Sequence, residues 1–152
     1  MHMEFILSNR PLLAATLAMF SAQFLKPFIL WAVEKDFDFH LFFTTGGMPS
    51  SHTATVVALT TSIAITEGVQ SILFAIAFVF SSITIHDAMG IRRAAGKQAE
   101  VINEWSRILS KVHQDGQFTP ENLKTMLGHS FVQVLAGTIM GLLYGYIFTV
   151  VV

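Results

Sequence analysis

The stretch TTGGMPSSHTATVVAL, residues 44–59, passes from a glycine- and serine-rich loop into an apolar run without meeting a charged residue. Gly46 and Gly47 carry no side chain and let a backbone approach a ligand closely. Pro49 closes the loop ahead of a helix whose first N–H groups have no partner within it, and such an N-terminus attracts phosphate. Ser50 or Ser51 can cap that helix or donate to a phosphate oxygen. A glycine turn with an ordinary serine cap accounts for every residue here except His52.

Composition sets the solvent that this helix enters. The 152-residue chain is 53% hydrophobic and only 12% charged, with a mean hydropathy of +0.59, whereas ordinary soluble domains carry about 25% charged residues. One small membrane domain over residues 1–152 is expected. A net charge of −1 provides no basic field, which sets nucleic-acid partners aside. Without cysteine the chain has no disulfides, thiolate nucleophiles or cysteine-held metal centres. Met1 and His2 precede a second methionine, Met3, and read as a remnant ahead of the natural start.

Four apolar segments follow from the pattern. PLLAATLAMFSAQFLKPFILWAV (11–33) is long enough to cross a hydrocarbon core of roughly 30 Å at about 1.5 Å per residue. Lys26 and Pro27 interrupt it and no small-residue cleavage site follows them, so it does not read as a signal sequence. HTATVVALTTSIAIT (52–66) and SILFAIAFVFSSITI (71–85), parted only by residues 67–70, read as a tight helical hairpin. FVQVLAGTIMGLLYGYIFTVVV (131–152) is the last segment. In it Gly137, Gly141 and Gly145 recur every four residues and strip one helix face, so that another helix can come close. Packing within the bundle is the first reading of that face, and a homodimer seam the second.

The polar insertion, residues 86–128, contains GIRRAAGKQAEVINEWSRILSKV. Ile91, Ala95, Ile102, Trp105, Leu109 and Val112 keep a helical period in it, which predicts an amphipathic helix at the interface or against the bundle. Thr119, Pro120 and Glu121 then signal a short helix to about Leu127. The expected fold is all-α: a four-span membrane bundle with a cytoplasmic amphipathic helix and a short helix before the last span.

If all four segments cross, the loop 34–51 and the insertion 86–128 share one side and both termini the other. Lys35, Arg92, Arg93, Lys97, Arg107, Lys111 and Lys124 fall on the first side and Arg10 alone on the second, so the first side is cytoplasmic. The same alternation brings Lys26, His52, His86, Asp87, Arg92, Arg93 and His129 to one membrane depth. Ionisable groups there are costly and point to a site. Singly, each has a plain explanation: a snorkelling lysine, capping histidines, anchoring arginines. Together, a lysine, an arginine pair, two histidines at helix starts and a glycine-serine loop make an oxyanion site with an acid/base and a nucleophile, as phosphoryl transfer requires. In GHSFVQVLAG (128–137), Gln133 lies four residues after His129 on the same helix face and within its reach.

GGMPSSH and GHSFVQVLAG, with DAMGIRRAAGKQAEVIN between them, resemble the small divergent branch of the type 2 phosphatidic acid phosphatase and vanadium haloperoxidase superfamily, found in bacteria and plastid-bearing organisms. The resemblance runs from about Gln23 to Gly141. It implies a membrane-embedded phosphatase in a bacterial plasma membrane or a plastid membrane, working at the cytoplasmic face. Its substrate would be phosphatidylglycerol phosphate or phosphatidic acid, ahead of a polyprenyl diphosphate. Lys26 would bind phosphate and Gly46, Gly47, Ser50 and Ser51 would cradle it, with Arg92, partnered by Arg93, standing for the arginine of the third motif. His52 would protonate the leaving oxygen, and His129 would attack phosphorus to form a phosphohistidine. No metal or other cofactor is implied, because cationic side chains carry the charge of the equatorial oxygens.

Two positions depart from the family pattern. Val33 stands where the first motif has an arginine, which makes Lys35 a candidate substitute. Gln133 stands where an acid orients the nucleophilic histidine. A glutamine carbonyl can accept the imidazole N–H but has no charge to stabilise an imidazolium. Weak turnover is therefore expected unless Asp87 or Glu100 supplies a carboxylate. The competing reading is a non-catalytic protein of the same fold that binds phosphate or anionic lipid. A small transporter ranks third, because the ionisable residues gather at one face and form no chain across the midplane.

Overall fold

Every long apolar segment starts at a side chain that accepts a hydrogen bond from its own first turn. Asn9 accepts from the Leu12 amide at 3.1 Å, Ser50 from Thr53 at 3.3 Å, Ser71 from Phe74 at 3.1 Å and Ser130 from Gln133 at 3.4 Å. These caps open α1 (Arg10–Glu34), α2 (Ser51–Thr66), α3 (Ile72–Met89) and α5 (Phe131–Tyr146), while α4 (Ile91–Val112) follows α3 across Gly90. A 3-10 turn, Phe39–Phe42, lies between α1 and α2, and a wider π-type turn, Ile147–Val151, continues α5. The computed structural model describes residues 8–44, 46–112, 123, 125 and 128–151, and among them there is no strand. The short helix expected from Thr119 to Leu127 falls outside the described residues, apart from Leu123 and Thr125, which are not helical.

Helix α2 occupies the middle and touches α1, α3 and α5. Its Ala54 and Ala58 meet Ala18 and Ala22 of α1 in a fully buried centre. The glycine stripe of α5 lies on its other side. A Cβ on Gly137 would stand 2.6 Å from the Ser50 carbonyl oxygen, one on Gly141 2.8 Å from that of Ala54, and one on Gly145 2.8 Å from that of Ala58. Backbone therefore packs on backbone, and the stripe serves the bundle. The face offered as a second reading for a homodimer seam, Gly137, Gly141 and Gly145, is thus the one that packs on α2.

Size sorts the residues from inside to outside. Alanine, glycine, serine and threonine fill the centre, whereas Phe20, Phe24, Trp31, Ile76, Phe80 and Leu142 point outward. That inverts the usual order of a water-soluble domain and suits lipid as the solvent. Polar groups inside are paired: Thr60 Oγ1 with Ser81 Oγ at 2.7 Å, and Ser62 Oγ with Thr149 Oγ1 at 2.6 Å.

Among the described residues, three helical runs are long and apolar enough to cross a membrane: Arg10–Glu34, the run Ile72–Lys111 that contains α3, and Phe131–Val151. The expected count of four is not reached on that measure. The second segment, α2, has 16 residues and rises about 24 Å, short of a core of roughly 30 Å. Elsewhere the boundaries match the reading from sequence within a residue or two. The exceptions are α3, which runs on through His86 and Asp87, and α5, whose regular turns stop at Tyr146. Within the polar insertion, Ile91–Val112 forms one long helix, α4, in contact with α3.

Candidate active site

The loop before α2 is tied down by α1. Gln23 Nε2 donates to the carbonyls of Leu41, Phe42 and Thr44 at 2.8–3.0 Å, and Lys26 Nζ, one turn further along, donates to Thr44 at 3.1 Å. Lys26 is 1% exposed, so it is held inside the bundle and does not snorkel to the interface. Gly47 has φ +86°, a conformation that only glycine adopts without strain. Gly46 is buried beside it.

Of the two roles expected for Ser50, the structure shows the cap. The residue is fully buried; its Oγ accepts from Thr53 N and Thr53 Oγ1, and its N–H donates to the Gln133 carbonyl at 3.0 Å. Its hydroxyl works as a helix cap, and its backbone joins α2 to α5. Ser51 is buried as well, at the first position of α2.

The start of α5 is docked on the corner between α3 and α4. The His129 amide donates to the Ala88 carbonyl at 2.9 Å, and Gly128, at φ +81°, lies against the backbone of Arg92 and Arg93. Next comes a reciprocal cap: Ser130 Oγ accepts from Gln133 N while Gln133 Oε1 accepts from Ser130 N at 2.9 Å. That second bond orients the glutamine, since a backbone N–H needs the amide oxygen and not the nitrogen opposite it. The same oxygen lies 3.2 Å from His129 Nδ1. Nδ1 must then carry the proton, which leaves Nε2 with the lone pair. Burial pushes His129 below the ordinary histidine pKa; the charges of Lys26, His52 and Arg92 act in the same direction, and the Gln133 hydrogen bond opposes them.

His52, at the start of α2, is exposed, and its ring centroid lies 6.3 Å from that of His129. Both line a small cavity of about 40 Å³ with Thr84, Asp87, Arg92 and Gly128. Arg92 Nε donates to Asp87 Oδ2 at 2.6 Å. Asp87 thus steadies the arginine, while His129 Nδ1 faces Gln133 Oε1. Arg93 goes elsewhere: it lines a second cavity of about 290 Å³ with Lys97, Glu100, Gly46, Gly47 and Gln133, a cavity that Gly128 and His129 line as well. A third, about 400 Å³ and mostly apolar, runs from Lys26, Gly47 and Gln133 along Ile29, Leu30 and Leu41.

Lys35 is exposed at the left-handed C-cap of α1, φ 59°, and His86 is exposed on α3. Among the described residues, no three His, Asp or Glu side chains converge as a metal site. Reading the sequence missed Gly128, although the glycine directly before His129 was visible, and the Ser-x-x-Gln signature of the reciprocal cap.

Over residues 7–144 the chain matches the family described as "Divergent PAP2 family". It is 39% identical over 146 positions to the "Uncharacterized membrane protein YuiD" of Bacillus subtilis (strain 168), with 91% of this chain and 92% of the relative covered. No solved structure matches it. With a match over most of its length and a site assembled from its two histidine motifs, the chain belongs to the divergent PAP2 family.

Proposed function

We propose that this membrane protein hydrolyses a lipid phosphate monoester through a phosphohistidine on His129. The observation that carries the reading is the orientation chain Ser130 to Gln133 to His129, which presents a neutral imidazole with a free Nε2 beside His52. Nε2 attacks phosphorus, the ester P–O bond breaks, and the departing oxygen takes a proton from His52. Neutral His52 then removes a proton from water, the new P–O bond forms as the P–N bond breaks, and phosphate leaves. Arg92 holds the equatorial oxygens, and the charge of Lys26, which lies in the third cavity, adds to the positive field at His129.

In this reading α2 completes a fourth, short crossing. Loop 34–51 and α4 lie on the cytoplasmic side, with Ile102, Trp105 and Leu109 of α4 set into the interface. The apolar third cavity suits a lipid chain. Phosphatidylglycerol phosphate and phosphatidic acid fit the cytoplasmic side better than a polyprenyl diphosphate.

Purified protein in detergent should release phosphate from such lipids without added metal, be blocked by vanadate, and carry an acid-labile label from a labelled phosphate. A second reading has one observation behind it: the residue facing His129 is a neutral glutamine engaged in a helix cap. A protein that only binds phosphate would show vanadate-sensitive lipid binding with neither release nor label.

Gln133→Glu separates the two further. Glutamate at this position keeps the reciprocal cap and adds the charge that stabilises an imidazolium, so turnover is expected to rise about tenfold. Unchanged or lower turnover in a variant of undiminished thermal stability would count against the catalytic role of the Gln133 contact.

A further inference from the structure

Arg92 and Arg93 are neighbours on α4, about 100° apart around the helix axis, and they serve different cavities. Arg92 faces the histidine pair with Asp87 as its ion-pair partner. Arg93 lines the larger cavity together with Lys97, one turn on along the same face. Among the described residues Arg92–Asp87 is the one ion pair, so no described carboxylate lies within 4.0 Å of the Arg93 or Lys97 cationic nitrogens. Glu100 shares the cavity and subtracts one charge, leaving its described lining net positive. Two backbone glycines, Gly46 and Gly47, form part of its wall and leave room for a polar group.

The cavities also adjoin in order, through shared lining residues. The small one at His52 shares Gly128 and His129 with the cationic one, which shares Gly47 and Gln133 with the apolar one. An amphiphile laid along them meets the reacting histidines at one end, a cationic chamber in the middle and an apolar groove at the other. The middle chamber has several times the volume of the first. A simple monoester would leave the net positive charge of its described lining unmatched.

We infer that the substrate carries a second phosphate besides the one that is cleaved, held by Arg93 and Lys97. The inference rests on the phosphatase reading and narrows its substrate class. A phosphodiester linked through glycerol and a diphosphate both offer this chemistry.

The test uses the full chain in detergent micelles and two matched pairs of probes. One is phosphatidylglycerol phosphate against phosphatidic acid with the same acyl chains; the other is farnesyl diphosphate against farnesyl phosphate. Binding is measured by calorimetry, with phosphate release followed separately. The two-phosphate member of at least one pair should bind about tenfold more tightly, the scale of one charge-assisted contact. That preference should fall to about twofold or less in Arg93→Gln/Lys97→Gln and widen in Glu100→Gln. The pair that shows it tells how the second phosphate is joined. Equal affinity within both pairs, or a preference that survives the double substitution, overturns the inference. A preference that follows the variants while no phosphate is released supports the subsite and defeats the phosphatase reading instead.

Discussion

Replacing His129 by alanine is expected to abolish phosphate release from every lipid phosphate, by about a thousandfold or more. The imidazole supplies the only bond to phosphorus that splits the hydrolysis into two steps, and no cysteine exists to replace it. The fold should survive, because the contact that docks this residue is made by its backbone N–H to Ala88 and not by its ring. Retained release in a folded His129→Ala protein would remove His129 from the mechanism. His52→Ala should behave differently: an alkyl phosphate is slowed already at cleavage, whereas p-nitrophenyl phosphate, whose leaving group needs no proton, should still give a first burst of p-nitrophenol before slowed water attack on the phosphohistidine limits turnover.

The pH dependence follows from the same residue. Burial lowers the folded-state pKa of His129 from 6.5, so the nucleophile is neutral at pH 7 and the acid limb of turnover lies below pH 6.5. The unfolded chain takes up the proton first as pH falls. Stability contributed here is therefore present above 6.5 and declines as pH drops from 6.5 towards the lowered folded value. An acid limb above pH 6.5 would contradict the assignment.

Gly128→Ala should be the most damaging single methyl group in the chain. Its φ of +81° already costs an L-residue about 1–2 kcal/mol. The added Cβ would also press on the Arg93 amide nitrogen and stand 2.6 Å from the Arg93 Cα and 2.8 Å from the Arg92 carbonyl carbon. Backbone cannot rotate away as a side chain can, so a further 1–3 kcal/mol or so is expected. Activity should be lost in any molecules that remain folded, because the shift parts Arg92 from His129. Gly68→Ala is the control: φ is +82° there, but nothing lies within 4 Å of the new methyl group. Equal destabilisation by the two substitutions in thermal unfolding would show that the contact with Arg92 and Arg93 contributes nothing.

Much of this architecture was legible beforehand, for identifiable reasons. Helices α1, α3 and α5 announce themselves because lipid demands long unbroken apolar runs, and His52 and His129 because polar residues at helix starts break those runs. The length deficit of α2 was on the page as well, but whether a segment of 16 residues spans depends on what surrounds it. The choice for Ser50 stayed open for a related reason. A serine at a helix start serves equally well as a cap or as a phosphate donor, and only the approach of Gln133 and Gly137 shows that its hydroxyl is sealed off. Arg92 and Arg93 looked like a pair because they are adjacent, yet adjacency on a helix separates side chains.

The glycine stripe of α5 has a weakness of its own. A repeat of four residues is self-similar: slide α5 by one turn along α2, and each glycine finds another small neighbour, much as a ruler without numerals fits at every notch. Something else must set the zero. Two contacts that do not repeat can do so, the Ser50 amide on the Gln133 carbonyl at one end and Ser62 Oγ against Thr149 Oγ1 at the other. One of these belongs to the residue that orients His129, so the alignment of the two helices and the alignment of the nucleophile are indexed at the same point.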